Sequence, residues 1–484
     1  MLHSFWFSAA IETFNTVLKT DPGCAMAHWG IALSWWGNPF GGFRSPQAIA
    51  SGLAAATKAK VMPTTDREKA YIEAVETLFT NVQTVDQRAR TVAYEKAMEA
   101  VAAKFPGDAE ARIFYALALA QTALPTDKTY ANQLKAAAIL EREFKLQPQH
   151  PGLAHYIIHS YDVPPLAPRA LDAARSYAKI APDAAHALHM PSHTFTRMGL
   201  WQESVEANLA SAAAARKDNA AAEELHALDY QTYAYLQMAQ DETARKSLAQ
   251  VASVAGRIQS ASAGNAAPPP AGYYAAAAIP ARFAIERNAW NEAAQLQVHS
   301  SPTAWADAVT YFARALGAAR SGNAAAAQPD IERLAAIRDA LIAAKDSYWS
   351  GQVDIEHRVA SAWMMFAQGR KENALAMLQK AADMEDATEK AAVTPGPIKP
   401  ARELLGEMLL DLNRPADALA AFEVTLQKEP NRYRALCGAA RAATAANEVG
   451  KSASYYSQLL ELADNAAAAE RPEFQEARAA LSKK

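Results

Sequence analysis

The chain has 484 residues, of which 51% are apolar and 20% charged, and its 48 basic and 51 acidic residues leave a formal net charge of −3. This near balance excludes the strongly basic surface with which proteins hold a phosphate backbone, so we expect no nucleic-acid partner. No uninterrupted apolar run reaches the ~18 residues of a membrane span, so we expect none. The two cysteines, Cys24 and Cys437, lie at opposite ends of the chain and cannot form a disulfide framework.

One pattern of residues recurs along the chain and predicts a helical repeat. A small residue is followed four positions later by a larger apolar residue, and eight positions after that by proline, which ends the unit. The pattern occurs at Ala10, Phe14 and Pro22, at Ala136, Leu140 and Pro148, and at Ala418, Phe422 and Pro430, and with a smaller middle residue at Ala170, Ala174 and Pro182. It resembles the tetratricopeptide repeat, a pair of helices spanning 34 residues. The resemblance implies an all-α, right-handed superhelix of helix pairs.

At the start of the chain, the frame of that repeat places Met1 at position 11 of a helix whose first ten positions are missing. Phe5, Trp6 and Phe7 would then lie on a truncated helix, because a repeat cannot bury its apolar face alone. We therefore expect the native product to begin further upstream. The given sequence indicates the cytoplasm, whereas an upstream signal peptide would indicate export, so the localisation stays open.

The segment from Gly30 to Arg44 interrupts the helical pattern with aromatic residues among glycines and prolines. It carries Trp35, Trp36, Phe40 and Phe43. Two interpretations are open: the aromatic side chains plug one end of the array within a long loop, or the segment is a lid over the inner face of the array.

Histidines are concentrated in the middle of the N-terminal half, where six of the eleven lie between positions 150 and 193. His155 and His159 recur as His189 and His193, shifted by 34 residues, so the two pairs should occupy equivalent places on neighbouring helices. Residues four apart share one face of a helix. We therefore expect the four imidazoles to line a common concave groove.

Two such pairs on adjacent helices can meet around one ion, and neutral imidazole suits Zn, Cu or Fe. We predict His155, His159, His189 and His193 as the metal ligands. Asp162 and Asp229 are candidates for orienting the ligands or for a general base. The predicted supporting or groove residues are His150, Tyr156, His186, His226 and Tyr233.

Pro191 lies between two predicted ligands and cannot donate a helical N–H. Two arrangements are open. Either a helix begins at Pro191, with His186 and His189 on the segment before it, or a continuous helix is kinked there. His193 stays helical in both.

A second interruption is predicted at 256–272, a stretch rich in alanine, proline and glycine. It would separate an N-terminal block, 1–255, which carries the histidine cluster, from a C-terminal block, 273–484, of degenerate and regular helix pairs. The first helices predicted in the C-terminal block are Tyr273 to Arg287, Ala304 to Arg320, Ile331 to Asp346 and Gln352 to Gln368.

Three functions remain open from the sequence. The first is a binding scaffold whose groove holds a transition metal, the second a metal-dependent hydrolase or oxidase using the same histidines, and the third a module that binds a partner without metal. The partner would be a protein, a peptide or a small molecule. The chain contains no HExxH, GxSxG, CxxC or glycine-rich phosphate loop, so the commoner hydrolase, redox and nucleotide patterns are missing.

Four segments of the first half also resemble a group of bacterial tetratricopeptide repeat proteins. They are Leu2 to Phe7, Cys24 to Gly30, His150 to Asp162 and His189 to Arg197. This resemblance implies a scaffold that binds a partner, often with an export signal upstream, and it implies no particular reaction.

Overall fold

The computed structural model describes residues 1–259, 266–463 and 471–482, and all regular secondary structure in them is helical. Short 3-10 helices lie at Leu2–Ser4 and Ala167–Ala170. The α-helices are α1 (Phe7–Thr20), α2 (Ala25–Trp36), α3 (Pro46–Lys60), α4 (Asp66–Glu76), α5 (Gln87–Lys104), α6 (Ala109–Thr122), α7 (Ala131–Leu146), α8 (Pro151–Ser160), α9 (Leu171–Ile180), α10 (Ala185–His189), α11 (Pro191–Arg197), α12 (Trp201–Lys217), α13 (Ala221–Gln237), α14 (Asp241–Leu248), α15 (Val251–Ala255), α16 (Pro269–Ile285), α17 (Trp290–Ala294), α18 (Ala304–Arg320), α19 (Ala324–Ala343), α20 (Ser347–Ala367), α21 (Lys371–Asp386), α22 (Ala401–Asp411), α23 (Pro415–Lys428), α24 (Tyr433–Ala445), α25 (Val449–Ala463) and α26 (Pro472–Leu481).

Helices that follow one another along the chain pack side by side, as α5, α6, α7 and α8 do in succession. Alternate helices also touch, such as α6 with α8 and α22 with α24. This pairing confirms the predicted all-α helical-repeat fold. Among the described helices, none combines the length and apolarity needed to cross a membrane.

The small residues of the repeat pattern allow the close helix packing that the sequence predicts. Ala136 and Ala418 are completely buried, and so is the Phe422 ring on α23. That ring packs against Gly406 on α22 and Gly438 on α24, and a Cβ at Gly406 would lie only 2.8 Å from it. The Phe422 side chain therefore occupies space that the glycines of the two neighbouring helices leave open.

The described residues divide into two compact units. The first consists of Met1–Thr194, Ala210–Glu224 and Gln259–Pro269, and the second of Phe195–Leu209, Leu225–Ile258 and Pro270–Lys484. The first unit contains α1 to α10, including the stretch in which histidines are concentrated. The division at 256–272 that the sequence suggests stays a prediction.

Three local features bear on the sequence predictions. Helix α16 begins at Pro269, so the last four residues of the predicted interruption are helical, because proline is tolerated in the first turn of a helix. Residues 260–265 of that interruption lie outside the described residues. The four helices predicted after it are present as α16, α18, α19 and α20.

The truncated first helix predicted for Phe5, Trp6 and Phe7 is not what the structure contains. Phe5 has a left-handed backbone conformation, with φ 52°, and ends the 3-10 turn Leu2–Ser4. Helix α1 then begins at Phe7. The break matters because it turns the Phe5 side chain toward α8.

We expect Gly438→Ala to destabilise the second unit, since its new Cβ would collide with the Phe422 ring. Overpacking of this kind costs about 1–3 kcal/mol. The matched control is Gly351→Ala on α20, where nothing lies within 4 Å of the added Cβ. This control should gain about 0.5–1 kcal/mol from the higher helix propensity of alanine. Thermal unfolding followed by circular dichroism would measure both, and equal melting temperatures would contradict the packing argument.

Candidate metal centre

Helix α8 and the α10–α11 segment carry five histidines of the first unit. Helix α8 begins at Pro151, which suits the first helical position, and places His155 and His159 one turn apart. Helix α10 carries His186 and His189 and ends at His189, and α11 begins at Pro191. The first of the two arrangements considered at Pro191 is thus the observed one.

The five imidazole rings form a continuous cluster. Ring centroids are 4.8 Å apart for His155 and His159, 4.9 Å for His155 and His186, and 4.9 Å for His189 and His193. The group of His155, His159 and His186 adjoins the pair His189 and His193, with the His159 and His193 ring centroids 6.1 Å apart. The imidazoles predicted from the sequence to share one hollow therefore do lie together.

One trio within the cluster is suited to a single ion. His155, His159 and His186 each offer a ring nitrogen, and these three atoms lie within 4.8 Å of one another. Nitrogens bound at ~2.0–2.1 Å to a tetrahedral Zn²⁺ are separated by ~3.3 Å, so modest side-chain movements would bring them around an ion. The structure thus groups His186, predicted only as a supporting residue, with two of the predicted ligands.

The register between the helices explains this grouping. His155 Nε2 lies 3.1 Å from His186 Nε2, and His193 Nδ1 lies 2.8 Å from Asp162 Oδ2. Both contacts join residues 31 apart, whereas the sequence comparison paired residues 34 apart. The difference of three residues is about one helical turn. His189 and His193 consequently face each other as a second pair, with their Nε2 atoms 3.0 Å apart.

Hydrogen bonds fix the protonation of two of these rings. His155 Nδ1 lies 2.6 Å from the carbonyl oxygen of His3, which can only accept, so Nδ1 carries the proton and the Nε2 lone pair faces His186. His193 Nδ1 donates in the same way to Asp162. Metal-binding histidines are typically held by such partners, which orient the ring and raise its basicity. Asp162 thus contacts one of the predicted ligands, and its orienting role stays a prediction.

Burial keeps two rings of the trio neutral. His155 is completely buried and His186 is 8% exposed. Burial lowers the pKa of His155 to about 3, although the hydrogen bond to His3 raises it. Burial, and then the neighbouring histidines, lower the pKa of His186 well below its usual value. Both rings are therefore unprotonated at neutral pH, which is the form that binds a metal ion.

Two aromatic side chains cover the cluster. The Phe5 ring lies 4.4 Å from the His155 ring, and the Phe40 ring stacks on His159 at 4.1 Å. Phe40 belongs to the aromatic segment Gly30 to Arg44, so the observed contact favours the lid interpretation of that segment. Asn38 anchors it by donating a hydrogen bond to the carbonyl oxygen of Ala266. The histidines thus lie beneath the chain's own aromatic residues and not on an open groove wall.

Two other predicted residues of the first unit belong to a separate group. His150 Nε2 lies 2.8 Å from Glu110 Oε1, and the Tyr156 hydroxyl lies 3.0 Å from His3 Nδ1. His3 in turn contacts Glu110 Oε2 at 3.0 Å. The sequence reasoning missed His3 and Glu110 as site residues. The only signal was His3, which lies within the Leu2 to Phe7 segment that carries the family resemblance.

The remaining predicted residues, His226, Asp229 and Tyr233, lie on the part of α13 that belongs to the second unit. Asp229 accepts from Arg282 Nε at 2.8 Å, and both side chains are completely buried. The Tyr233 hydroxyl donates to Glu429 and accepts from Arg432.

His226 lies edge-on to the Tyr230 ring, with the centroids 5.2 Å apart. Asp229 is engaged with Arg282, and Tyr233 with Glu429 and Arg432, so neither belongs to the proposed centre. His226 is also left out, because the proposed centre is confined to residues of the first unit.

Comparisons with known proteins concern the fold. No family model matches the chain, and no curated protein does. The human IFIT1 dimer with m7Gppp-AAAA is similar at 12% identity and a TM-score of 0.43, over 94% of this chain and 95% of that chain. The same human dimer with PPP-AAAA gives 11% identity and a TM-score of 0.42, over 94% of each chain. The TPR domain of P58(IPK) gives 14% identity and a TM-score of 0.23, over 73% of this chain and 94% of that chain.

These similarities carry no argument about function. The expectation of no nucleic-acid partner therefore stays a prediction from the charge balance. The resemblance to a bacterial group also stays a prediction.

We expect Phe40→Ala to expose His159, because the stacked Phe40 ring shields one face of that imidazole. Modification by diethyl pyrocarbonate, located by mass spectrometry in chelator-treated protein, should become faster at His159. The control is Phe43→Ala, since Phe43 is 66% exposed in the same segment. Equal modification rates in the two variants would mean that Phe40 does not cover the site.

We also expect the stability of the protein to fall with rising pH, because the buried Glu223 carboxyl must ionise. Glu223 accepts from the backbone N–H of Ala266 at 2.7 Å. Burial raises the pKa of Glu223 to about 7, and the charge of Asp218 adds to this, against the hydrogen bonds from Ala266 and Ala267. A carboxyl whose pKa is higher in the folded than in the unfolded chain contributes stability that is full below its usual pKa of 4.5 and lost as the pH rises through 7.

Glu223→Gln removes this titration while keeping the acceptor oxygen. The melting temperature of the unsubstituted protein should therefore fall relative to that of the variant between pH 4.5 and about pH 9. A difference between the two melting temperatures that stays constant over this range would show that Glu223 titrates as an ordinary exposed carboxyl.

Proposed function

We propose that this protein is a helical-repeat binding scaffold that holds a divalent transition-metal ion with His155, His159 and His186. The supporting observation is that three ring nitrogens lie within 4.8 Å of one another, while the hydrogen bond from His155 to the His3 carbonyl directs one lone pair into their midst. His189 and His193, also predicted as ligands, adjoin the trio without binding its ion. We call these two residues the outer pair.

The donor set narrows the choice of metal. Three neutral imidazoles suit Zn²⁺, Cu²⁺ or Fe²⁺, whereas Ca²⁺ and Mg²⁺ require oxygen ligands that the trio lacks.

Asp162 is the carboxylate in direct contact with the outer pair. It contacts His193 Nδ1, whereas His193 Nε2 faces His189. We therefore assign Asp162 to orienting His193 and not to binding the ion.

The surroundings of the trio favour a stabilising ion over a catalytic one. Phe5 and Phe40 lie over its rings, which shields an ion there from solvent and from large substrates. Such an ion would tie α8, α10 and the N-terminal turn into one body. The first unit would thereby be held rigid as a scaffold for a protein or peptide partner, as the repeat fold implies.

Metal analysis of protein produced without a histidine tag tests this function. We expect His159→Ala/His186→Ala to bind about one equivalent less transition metal than the unsubstituted protein, because two of three ligands are removed. Chelation should lower the melting temperature of the unsubstituted protein, since an ion at 100 times its Kd stabilises the folded state by about 2.7 kcal/mol. The same treatment should lower the melting temperature of the double variant less, because the trio can no longer hold an ion.

Two single variants serve as controls. His28→Ala removes a histidine of the first unit outside the cluster, and His299→Ala removes an exposed one in the second unit. Both should keep the full metal content. The proposal fails if the double variant binds as much metal as the controls, or if chelation does not alter the melting temperature of the unsubstituted protein after reconstitution with Zn²⁺, Cu²⁺ or Fe²⁺.

A further inference from the structure

A second group of potential metal ligands lies in the first unit, apart from the trio. It consists of His3, Glu110 and His150, which offer one ligand atom each within 4.8 Å of one another. The three come from different elements: the 3-10 turn Leu2–Ser4, the first turn of α6, and the residue immediately before α8. The fold therefore brings together two imidazoles and one carboxylate from distant parts of the sequence.

The Glu110 carboxylate lies between the two rings. Oε1 is 2.8 Å from His150 Nε2, and Oε2 is 3.0 Å from His3 Nε2. Both rings thus direct the same nitrogen toward one carboxylate, as they would toward a shared ion. The side chains of His3, His150 and Glu110 are 18%, 15% and 39% exposed, so a path from solvent to the group exists.

The His3 ring is held in place from several sides. It stacks on Phe114 with the centroids 4.9 Å apart and meets the His150 ring edge-on at 4.7 Å. The Tyr156 hydroxyl lies 3.0 Å from its Nδ1. Gly152 provides the room, because a Cβ there would lie 2.6 Å from that nitrogen. A ligand that is fixed before the ion arrives loses little conformational entropy on binding.

A cavity of about 390 Å³ adjoins this group. His3 and Glu110 form part of its wall. The remainder is mostly apolar and aromatic, and includes Leu2, Phe14, Met26, Trp29, Tyr71 and Phe114. This volume lies within the range of pockets that hold small molecules.

We propose that His3, His150 and Glu110 form a second metal site, with a coordination position open toward this cavity. Two histidines and one carboxylate are a donor set that binds Zn²⁺ or Fe²⁺ and leaves room for water or another ligand. An ion on His3 Nε2 requires the ring proton to be on Nδ1, where the Tyr156 hydroxyl oxygen is in position to accept the hydrogen bond. A small apolar molecule with one oxygen or nitrogen donor fits the open position and the cavity walls.

This site is independent of the proposed histidine trio in its ligands, and the two can be tested apart. His159→Ala/His186→Ala is the appropriate background, because it disables the trio and leaves the hydrogen bond from His155 to the His3 carbonyl in place. Co²⁺ is the probe, since its visible absorption reports on the coordination of the ion. In this background we expect the metal-free protein to bind about one equivalent of Co²⁺.

Substitutions at the second site should then remove the binding. Glu110→Gln, which keeps the size and an acceptor oxygen, and His150→Ala should each weaken Co²⁺ binding more than about tenfold, because losing a ligand costs more than losing a residue that orients one. His28→Ala in the same background should leave the binding unchanged. Circular dichroism checks that each variant is folded.

The outcomes separate the two sites. A background protein that binds no Co²⁺, or Glu110→Gln and His150→Ala variants that bind it as tightly as the background does, would overturn the second site and leave the trio unaffected. If the background and the unsubstituted protein both bind about one equivalent, the second site stands and the trio fails.

The open coordination position has its own test. Azide should bind there and change the visible spectrum of the bound Co²⁺, and an unchanged spectrum would refute the open position.

Discussion

The hydrogen bond from His155 Nδ1 to the carbonyl oxygen of His3 is the contact on which the candidate sites depend. It decides the tautomer of His155 and so directs the Nε2 lone pair toward His186. It also fastens the N-terminal turn to α8. Residue 3 thereby serves both groups of potential ligands, with its carbonyl beside the trio and its ring beside Glu110.

The placement of the N-terminal turn has a second consequence, which follows from the backbone of Phe5. Its left-handed conformation ends the 3-10 turn and sends the ring across the face of α8, where it packs on His155. Phe40 covers His159 from a different part of the chain. The cluster is therefore an interior feature of the first unit. Since transfer of an imidazolium from water into such surroundings is costly, the His155 and His186 rings remain neutral and able to bind a metal.

Buried charged side chains in the second unit are paired with opposite charges, unlike the histidines of the first unit. Arg282 is paired with Asp229, and Arg432 lies between Glu286 and Glu403, all with completely buried side chains. Each of these charges has an opposite charge beside it, as a buried charge must. In the histidine cluster, nitrogen faces nitrogen at 3.1 Å and 3.0 Å. Two imidazoles that meet in this way are suited to share a proton or an ion.

The sequence by itself determined the repeat fold and the location of the cluster. Helix packing through small residues requires a periodic pattern, and the pattern of Ala136, Leu140 and Pro148 is visible without coordinates. The pairs His155 with His159 and His189 with His193 could be assigned to neighbouring helices for the same reason. Their grouping could not, because the offset between two packed helices depends on the break before Pro191 and on the contacts around it.

Only the tertiary structure decided which residues accompany the histidines. His3, Glu110 and Phe40 come from segments far apart in sequence, and no periodicity relates them to α8. Asp229 and Tyr233 fit the predicted helical stripe, yet they pair with Arg282 and with Glu429 in the second unit. Periodicity states which face of a helix a residue occupies. Which residue packs against that face depends on the tertiary arrangement of the other helices, and this is a property of the folded molecule.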